Sequence, residues 1–394
     1  MGPTDTEAPV LMRAPTSTPA SGPAAPIGVG IVGLSARGGW AGSAHVPALA
    51  ALPAAYELRA LSTSSARTAQ AAGEKFDVPL AFGSVEELVA RDEVDLVVVT
   101  VKVPHHYELV KSALAAGKTV LSEWPLGNGT AEADEMAAYA HARKLRGFVG
   151  LQARSAPSVR HLSDLIADGY VGEVLSTSII ASGNAWGPTF DDGSAYVLDR
   201  DNGATMLTVP LGHTLDGLAS VLGPFTELSA TTATRRGTVR HRRTGEPAAM
   251  TAEDQIAVTG VLGSGAVASL HYRGGRARST NFLWEINGSE GDLVVTGDSG
   301  HLQFGLITIR GSRGQSDVLT ELPVPDRYDA HAPALAKLRG TKAYSVAHAY
   351  DQLRRDLAEG TREVPDFAHA ARHHRLLDDI RNAAATGSRQ YVTS

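Results

Sequence analysis

The chain of 394 residues contains no cysteine, and lysine is scarce, with seven among 36 basic side chains. The missing thiols exclude disulfides, cysteine nucleophiles, thiolate metal sites and iron–sulfur clusters. No apolar run approaches the roughly 18 residues of a membrane span, and the densest, Leu96–Val101, has the length of a strand. These absences predict a protein of the cytoplasm with no membrane segment.

Neither sign of charge predominates, because 36 basic and 42 acidic side chains give a net charge of only −6. One basic cluster falls in a predicted loop, at Arg235, Arg236, Arg240, Arg242 and Arg243. We interpret it as a solvated loop rather than a phosphate or nucleic-acid patch, so no nucleic-acid partner is expected. His369 and His373 have the spacing of metal ligands on a helix, but no third ligand is evident and no metal is expected.

The first half of the chain alternates short apolar runs with helical patterns. Residues 1–26, rich in proline, alanine, threonine and serine, predict a disordered tail. Residues 27–151 predict five strands, at Ile27–Val32, Leu58–Leu61, Asp95–Val101, Thr119–Leu121 and Phe148–Leu151. The intervening helices are predicted at Ala44–Leu52, Ala66–Phe76, Val85–Ala90, Tyr107–Ala116 and Ala131–Leu145. This order predicts an α/β, Rossmann-type doubly wound parallel sheet that binds its ligand at the carboxyl ends of the strands.

Residues 152–394 follow a different pattern. Seven β-type runs lie between residues 174 and 309, the last at Leu302–Ile309, and helical patterns cover about Leu211–Leu222 and much of the chain after residue 333. The pattern predicts a second, α+β domain with an open, mostly antiparallel sheet, closed by C-terminal helices. An uncovered apolar sheet face is a liability in a monomer. We therefore expect a homo-oligomer, a dimer or tetramer, formed through this sheet.

The first predicted strand runs directly into the glycine-rich segment Gly33-Leu34-Ser35-Ala36-Arg37-Gly38-Gly39-Trp40. Glycines at this place let the backbone approach a pyrophosphate beside the amide donors of the next helix. The usual G-x-G-x-x-G is absent, because Ser35 takes the second glycine position, and an ordinary turn is the alternative. The position after the first strand favours a dinucleotide, held by Gly33, Leu34, Ser35, Ala36 and Trp40.

The end of the second strand lacks the acid that usually binds a ribose hydroxyl. It contains Ser62-Thr63-Ser64, with Arg67 three residues later. Hydroxyl groups and a guanidinium suit a 2′-phosphate better than a 2′-hydroxyl, so NADP is predicted over NAD. An alternative, compatible with the first, makes Ser64 the N-cap of the following helix and leaves Arg67 in solvent.

The chain resembles the glucose–fructose oxidoreductase/inositol dehydrogenase (Gfo/Idh/MocA) family. The resemblance spans about residues 27–390 and rests on Gly33, His106, Gly117–Leu126 and Gly212–Asp216. Val101–Pro104, Glu123-Trp124, Leu151–Arg154 and Gly288–Leu293 resemble the branch that contains the fungal galactose-regulon repressor. The family implies a nucleotide-binding domain and hydride transfer at a sugar or cyclitol carbon. It also implies a group of residues close to the cofactor: Val101, Lys102, Val103, His106, Glu123 and Trp124.

Two positions depart from what the family implies. Trp124 stands where the family has the lysine of Glu-Lys-Pro, and Val209 stands where it has an aspartate. An indole cannot act as a general acid or base. Of the three usual polar catalytic groups, only His213 matches.

Three side chains are candidates for proton transfer. His213 lies near a helix start with Asp216 on the same face, and a core histidine oriented by Asp216 is the alternative. Lys102 follows the strongest strand, where it could donate a proton or pair with a phosphate or with Glu123. Tyr196 is a third candidate, with surface packing as the alternative.

Other side chains are candidates for ligand contacts. Trp124, Trp186 and Trp40 could form an aromatic wall over a ring-shaped substrate. Packing in the core, the commoner place for a large aromatic side chain, is the alternative. Gln152 and Arg154 follow the last parallel strand, on the crevice side. Gln152 is expected to contact substrate, while Arg154 would anchor substrate or cofactor or form an interdomain salt bridge.

The favoured function is an NADP(H)-dependent oxidoreductase. It would transfer hydride to or from an alcohol, carbonyl or imine carbon of a small polar, sugar-like molecule, with protonation by His213, Lys102 or water. One alternative is a nucleotide-binding regulator or scaffold without turnover, which the missing lysine favours and the lack of a recognisable partner-binding segment disfavours. Another is a non-redox enzyme that uses the nicotinamide transiently.

Overall fold

The computed structural model describes residues 25–392, so the predicted tail, except for its last two residues, lies outside the described part of the chain. The strands of the first domain are β1 Ile27–Val32, β2 Tyr56–Ser62, β3 Leu80–Phe82, β4 Leu96–Val99, β5 Thr119–Glu123 and β6 Gly147–Gly150. Its helices are α1 Val46–Ala50, α2 Ala66–Phe76, α3 Val85–Val89, α4 His106–Ala115 and α5 Thr130–Ala142. The strands form one parallel sheet in the order β3-β2-β1-β4-β5-β6.

Burial explains why β4 lies at the centre of this sheet. All four of its side chains, three of them valines, are buried. The strand pairs in parallel with β1 on one side and β5 on the other. The strand order reverses between β1 and β4, which opens a ligand crevice at their carboxyl ends. The predicted doubly wound sheet is confirmed; β3 was missed because it has three residues and none of them is fully buried.

Two local predictions in this domain were wrong. The helix expected at Ala44–Leu52 begins earlier, as a π-helical turn over Ala41–His45 that continues into α1. The N-cap of α2 is Ser65 rather than Ser64, because the Ser65 hydroxyl accepts the amide hydrogen of Thr68. Ser64 therefore does not cap the helix, and its side chain is exposed beside the crevice.

The second domain is built on a nine-stranded sheet in the order β17-β16-β15-β14-β7-β13-β12-β9-β18. Its strands are β7 Val174–Gly183, β9 Phe225–Ala233, β12 Gln255–Leu262, β13 Val267–Gly274, β14 Phe282–Gly288, β15 Gly291–Gly297, β16 Ile307–Arg313, β17 Thr320–Glu321 and β18 Gln390–Tyr391. The β7–β13 pair is parallel and the other pairs are antiparallel. The predicted open, mostly antiparallel sheet is confirmed.

A second, three-stranded sheet corrects the prediction for the basic cluster. It contains β8 Thr189–Phe190, β10 Thr238–His241 and β11 Pro247–Ala249. Arg240 therefore lies in a strand and not in a loop. Arg236 forms an ion pair with the buried Asp254, at 2.9 Å.

The remaining helices are α6 Pro157–Ala167, α7 Gly212–Leu222, α8 Ala343–Glu359 and α9 Phe367–Thr386. Helix α8 returns to the first domain, where Val346, Tyr350 and Leu353 share a hydrophobic core with Ile31 and Leu121. Helix α9 packs between α5 and β9. Helix α9 thus connects the first domain to the nine-stranded sheet. Within residues 25–392, no helix has the length and apolarity needed to cross a membrane.

Candidate functional site

Two adjoining cavities follow the crevice. The first, of about 870 Å³, lies at the carboxyl ends of β1 and β2. The second, of about 510 Å³, lies between the two domains. Both are lined by Gly33 and Val101. The two cavities therefore adjoin. We call the first the nucleotide cavity and the second the interdomain cavity.

The glycine-rich segment shapes the junction of the two cavities. Gly33 has a φ of +97°, and a Cβ atom there would lie 2.8 Å from Cγ1 of Val101. Gly38 and Gly39 also have positive φ and face open space. Ser35 and Ala36 line the nucleotide cavity. The side chain of Leu34 is fully buried in the core and lines neither cavity, so only its backbone could contact a nucleotide.

The hydroxyl groups at the end of β2 differ in whether they already form hydrogen bonds. Ser62 Oγ is buried without a hydrogen-bond partner. Thr63 Oγ1 is already committed to the Ser65 carbonyl oxygen and to the Thr68 hydroxyl, at 3.1 and 2.7 Å. Ser62, Thr63, Ser64 and Arg67 all line the nucleotide cavity, as does Arg37, which the sequence analysis did not single out.

The interdomain cavity receives polar atoms from both domains. Four of its lining side chains carry a buried polar atom without a hydrogen-bond partner in the described residues: Trp40 Nε1, Gln152 Oε1, His213 Nδ1 and Gln303 Oε1. A buried polar atom without a partner is costly, by about 1–3 kcal/mol. These four atoms have almost no accessible surface, so it is the polar lining as a whole that suits a small ligand with several hydrogen-bonding groups.

His213 lines this cavity as a neutral imidazole. Burial, together with the neighbouring His301, lowers the pKa of His213 to about 3. The predicted partner Asp216 is not hydrogen-bonded to it. Asp216 instead accepts hydrogen bonds from Arg154 Nε and Nη2, at 2.8 and 2.5 Å, and from His369 Nε2, at 2.7 Å. Thus His213 is free to contact a ligand.

Arg154 lines neither cavity. Its guanidinium group is committed to Asp216 in a bidentate ion pair. Both residues belong to the second domain, so the salt bridge lies within that domain and does not join the two domains. The two histidines with metal-ligand spacing are also engaged, because His369 binds Asp216 and His373 Nε2 donates to the Gly212 carbonyl oxygen at 2.8 Å.

The two other predicted proton donors lie together at the mouth of the interdomain cavity. Lys102 Nζ lies 4.9 Å from the centre of the Tyr196 ring, a cation–π distance. Burial raises the pKa of Tyr196, which makes its hydroxyl a weaker acid. Lys102 is exposed.

The tryptophans have different roles. Trp124 lines the interdomain cavity, and its indole donates a 2.6 Å hydrogen bond to the Thr208 carbonyl oxygen. Its ring packs on His373 and His374 at centroid distances of 4.8 and 4.6 Å. Trp186 lines neither cavity; it is buried in the second domain, where it donates to the Val197 carbonyl oxygen. The aromatic wall predicted for Trp186 is therefore not formed.

His106 shapes the loop around Val101, Lys102 and Val103. Its two ring nitrogens lie 2.8 and 3.0 Å from the carbonyl oxygens of Pro125 and Val101. The side chain is buried, which lowers its pKa. It thereby connects the ends of β4 and β5 below the cavity.

Several site residues escaped the sequence analysis. His301 and Phe304 stack at 4.6 Å, and Phe304 lies 6.0 Å from Trp40, so a second-domain segment covers the glycine-rich loop. This segment was predicted as part of a strand at Leu302–Ile309, but β16 begins only at Ile307. Its polar and aromatic composition, unlike that of the following strand, is the signal that could have identified it.

A buried chain of hydrogen bonds reaches the cavity at Glu123. His45 Nε2 lies 2.9 Å from Glu123 Oε1, and His45 Nδ1 lies 2.8 Å from the Tyr350 hydroxyl. His45 and Tyr350 were not predicted as site residues. They come from the π-helical turn and from α8, 305 residues apart in sequence.

Comparison with known proteins gives two family matches. Residues 27–151 match the oxidoreductase family with an NAD-binding Rossmann fold, Gfo/Idh/MocA. Residues 157–297 match the C-terminal domain of Gal80p. The dehydrogenase aclE of Aspergillus oryzae is 34% identical over 288 residues, which cover 69% of this chain and 77% of that protein.

Similarity also extends to a regulator. The galactose/lactose metabolism regulatory protein GAL80 of Saccharomyces cerevisiae is 28% identical over 331 residues, or 78% of this chain and 76% of that protein. A crystal structure of a super-repressor mutant of Gal80p from the same yeast aligns with a TM-score of 0.84 at 23% identity. The alignment covers 93% of this chain and 98% of that one. At that identity the comparison shows the fold alone.

Proposed function

The chain belongs to the Gfo/Idh/MocA oxidoreductase family, and on that premise we propose that it is an NADP(H)-dependent oxidoreductase. Its substrate would be a small polar molecule with a secondary alcohol or the corresponding carbonyl. One observation carries the proposal: a nucleotide cavity lined by Ser62, Ser64 and Arg67 adjoins an interdomain cavity lined by Gln152, His213 and Gln303.

The chemistry of the nucleotide cavity favours the 2′-phosphate. Hydroxyl groups at Ser62 and Ser64 and the guanidinium groups of Arg37 and Arg67 line it, and such donors bind phosphate oxygens. Two carboxylates, Glu86 and Glu108, also line the cavity. They come from α3 and α4, however, and not from the end of β2, where a ribose-binding acid is usually found.

The residues of the interdomain cavity would bind and orient the substrate. The nicotinamide, when bound, would supply the hydride acceptor or donor. His213, kept neutral by burial, can exchange a hydrogen bond with a substrate hydroxyl, as can Gln152 and Gln303. Lys102 brings a positive charge to the cavity mouth, which favours an oxygen that gains negative charge.

Calorimetric titration with NADP⁺, NADPH, NAD⁺ and NADH tests the cofactor. We expect the two phosphorylated nucleotides to bind at least tenfold tighter, or about 1.4 kcal/mol. The variant Arg67→Ala should lose that preference while its affinity for NADH stays unchanged. Arg91→Ala is the matched control, since Arg91 forms an exposed ion pair with Glu93 away from both cavities.

Turnover is tested with ring-shaped alcohols. Oxidation of myo-inositol, D-glucose and 1,5-anhydro-D-glucitol with NADP⁺ would be followed by the absorbance of the reduced nicotinamide. Reduction of any of the three ketone or lactone products would be measured in reverse. Binding of all four nucleotides without turnover of any probe would contradict the enzymatic proposal.

A regulator that binds nucleotide without turnover is the second candidate. The similarity to GAL80 over most of its length favours it, as does Trp124 in the place of the family's lysine. Its signature would be nucleotide binding together with a nucleotide-dependent change in association with another protein. The same titrations and assays separate it from the enzyme.

For assembly, we propose a homo-oligomer formed by the outer face of the nine-stranded sheet. Ile180 of β7 and Val267 of β13 are 40% and 60% exposed, and the pairing of the two strands puts them on the same face. Sedimentation velocity should show a dimer or tetramer, and Ile180→Glu or Val267→Glu should dissociate it. Val318→Glu, an exposed apolar position outside the strands of the sheet, is the control.

A further inference from the structure

Glu123 has a special place in the interdomain cavity. Among the described residues that line this cavity it is the sole carboxylate. It lies at the end of β5, directly before Trp124, which replaces the family's proton-carrying lysine. Its side chain is 14% exposed, so the carboxylate is mostly sheltered from water and yet opens to the cavity.

The carboxylate is held from behind by a buried histidine. His45 is 1% exposed and does not line the interdomain cavity. Its Nε2 contacts Glu123 Oε1 at 2.9 Å, which leaves Oε2 available. Gly150 closes the other side, because a Cβ atom there would lie 2.7 Å from Oε1. The position of the carboxylate is thus fixed by two neighbours.

The tautomer of His45 follows from Tyr350. The Tyr350 side chain is fully buried, and its hydroxyl lies 2.8 Å from His45 Nδ1. A buried hydroxyl donates its proton where it can, and we assign that proton to a hydrogen bond with Nδ1. The ring proton of a neutral His45 then lies on Nε2 and is donated to Glu123.

We propose that Glu123 takes the place of the missing lysine as the catalytic proton acceptor and donor, and that His45 and Tyr350 are its positioning residues. The proposal rests on the proposed oxidoreductase function and names the group that moves the proton at its site. In this arrangement Tyr350 orients His45 and His45 orients Glu123, just as other enzymes orient a catalytic base by hydrogen bonds from a second side chain.

The step balances with an oxidised nicotinamide as the hydride acceptor. The substrate O–H bond breaks and its proton goes to the Glu123 carboxylate. The substrate C–H bond breaks and its electron pair leaves with the hydrogen as hydride for the nicotinamide. The carbon–oxygen double bond forms, and the carboxyl proton passes to water. Reduction runs through the same atoms in reverse.

The competing groups are less suited to this transfer. His213 is so desolvated that its protonated form is disfavoured near neutral pH. Tyr196 is a weaker acid than an ordinary tyrosine. Lys102 is exposed and sits over the Tyr196 ring. They remain available for hydrogen bonding and charge, while the proton itself goes to the carboxylate.

Kinetic variants test the assignment. Glu123→Gln keeps the size of the side chain, and we expect unchanged NADP⁺ affinity in calorimetry with kcat lowered by roughly 10²–10⁴-fold. Tyr350→Phe removes only the hydroxyl that fixes His45. It should lower kcat about tenfold, the effect of one hydrogen bond, and leave KM unchanged. The probes are the three ring alcohols named above.

Tyr56→Phe is the matched control for Tyr350→Phe. Tyr56 is also buried in this core, where its ring lies 5.2 Å from that of Tyr350. Its hydroxyl donates to the Tyr350 carbonyl oxygen and not to His45. A comparable loss of stability with wild-type kcat is expected, which separates the relay from general damage to the core.

A spectroscopic measurement tests the relay without turnover. In ¹⁵N-histidine-labelled protein, the His45 signals are identified by their loss in His45→Asn. We expect a neutral ring with the proton on Nε2, and a mixture of tautomers in Tyr350→Phe. A ring protonated on Nδ1 alone, or unchanged by Tyr350→Phe, would overturn the positioning role.

The outcomes separate the two proposals. If the wild type oxidises a probe and Glu123→Gln does so within threefold of its rate, the assignment of Glu123 fails and the oxidoreductase proposal stands. If the wild type binds none of the nucleotides or oxidises none of the probes, the oxidoreductase proposal fails, and the catalytic role of Glu123 fails as well because it depends on that proposal. The His45 spectrum still decides whether the relay exists.

Discussion

Asp216 connects three segments that carry or support the site, and replacing it gives a quantitative test of the structure. Its carboxylate is fully buried on α7, one turn from His213. It accepts two hydrogen bonds from Arg154, two residues after Gln152, and one from His369 on α9. Asp216→Asn removes the negative charge, and the three donors then face a neutral amide.

The expected loss of stability can be estimated from this geometry. Removing one partner of a buried ion pair costs about 3–5 kcal/mol. The Arg154 side chain keeps 22% of its surface exposed, so water compensates part of its charge and the lower end applies. With an unfolding entropy near 2.1 cal/mol/K per residue, a chain of this length should lose about 4 °C in Tm.

Differential scanning calorimetry measures the shift, and a double variant supplies the control. In Arg154→Met/Asp216→Asn no buried charge is left without a partner, so part of the loss should be recovered. A single variant that melts within 1 °C of the wild type, or a double variant whose loss equals the sum of the single losses, would show that the buried ion pair does not form as described.

Three further results are expected. Burial lowers the pKa of His213 to about 3, so below pH 6.5 the unfolded chain binds more protons than the folded chain. The free energy of unfolding should therefore fall as the pH drops from 6.5 towards 4. His213→Asn should reduce that slope by about 1.4 kcal/mol per pH unit in pH-dependent calorimetry, and an unchanged slope would contradict the burial. Gly33→Ala should abolish measurable NADPH binding, since φ at Gly33 is +97° and Cγ1 of Val101 would lie 2.8 Å from the new Cβ atom. Gly117→Ala is the control: φ there is +75° and the residue lines neither cavity, so this variant should lose stability but keep its nucleotide binding. Gly150→Ala should push the Glu123 carboxylate aside and lower kcat without changing NADP⁺ affinity, and a wild-type kcat would refute the tight placement of that carboxylate.

The parallel sheet could be predicted because its signal is local. A run of apolar, mostly β-branched residues at Leu96–Val101 belongs in a strand covered on both faces. The short strand β3 could not be predicted, since three half-exposed residues carry no periodic signal. The nucleotide cavity was also predictable, because its residues follow successive strands and parallel topology brings strand ends together.

The interdomain cavity was predictable only in part: Gln152, Tyr196 and His213 of the second domain were identified, whereas His301, Gln303 and Phe304 were missed. The partner of Arg154 lies 62 residues along the chain, and His369 lies a further 153 residues from Asp216. Contacts between residues so far apart in sequence cannot be predicted from the spacing of residues along the chain. Trp186 was open to two interpretations, a ligand wall or core packing, and packing within the second domain buried it. The Tyr350–His45 contact has the same origin, since it depends on where α8 returns.

The return of α8 to the first sheet bears on how the chain is synthesised. Val346, Tyr350 and Leu353 complete a core whose other members include Ile31 and Leu121. A nascent chain that has emerged only to residue 151 contains every strand of the parallel sheet, together with α1 and α2, but leaves open the part of this face that α8 covers. The nucleotide-binding half must therefore wait for some 200 further residues, about 10–40 s at typical elongation rates. Over that interval apolar side chains of the sheet stay exposed, and a chain truncated before α8 would be prone to aggregate.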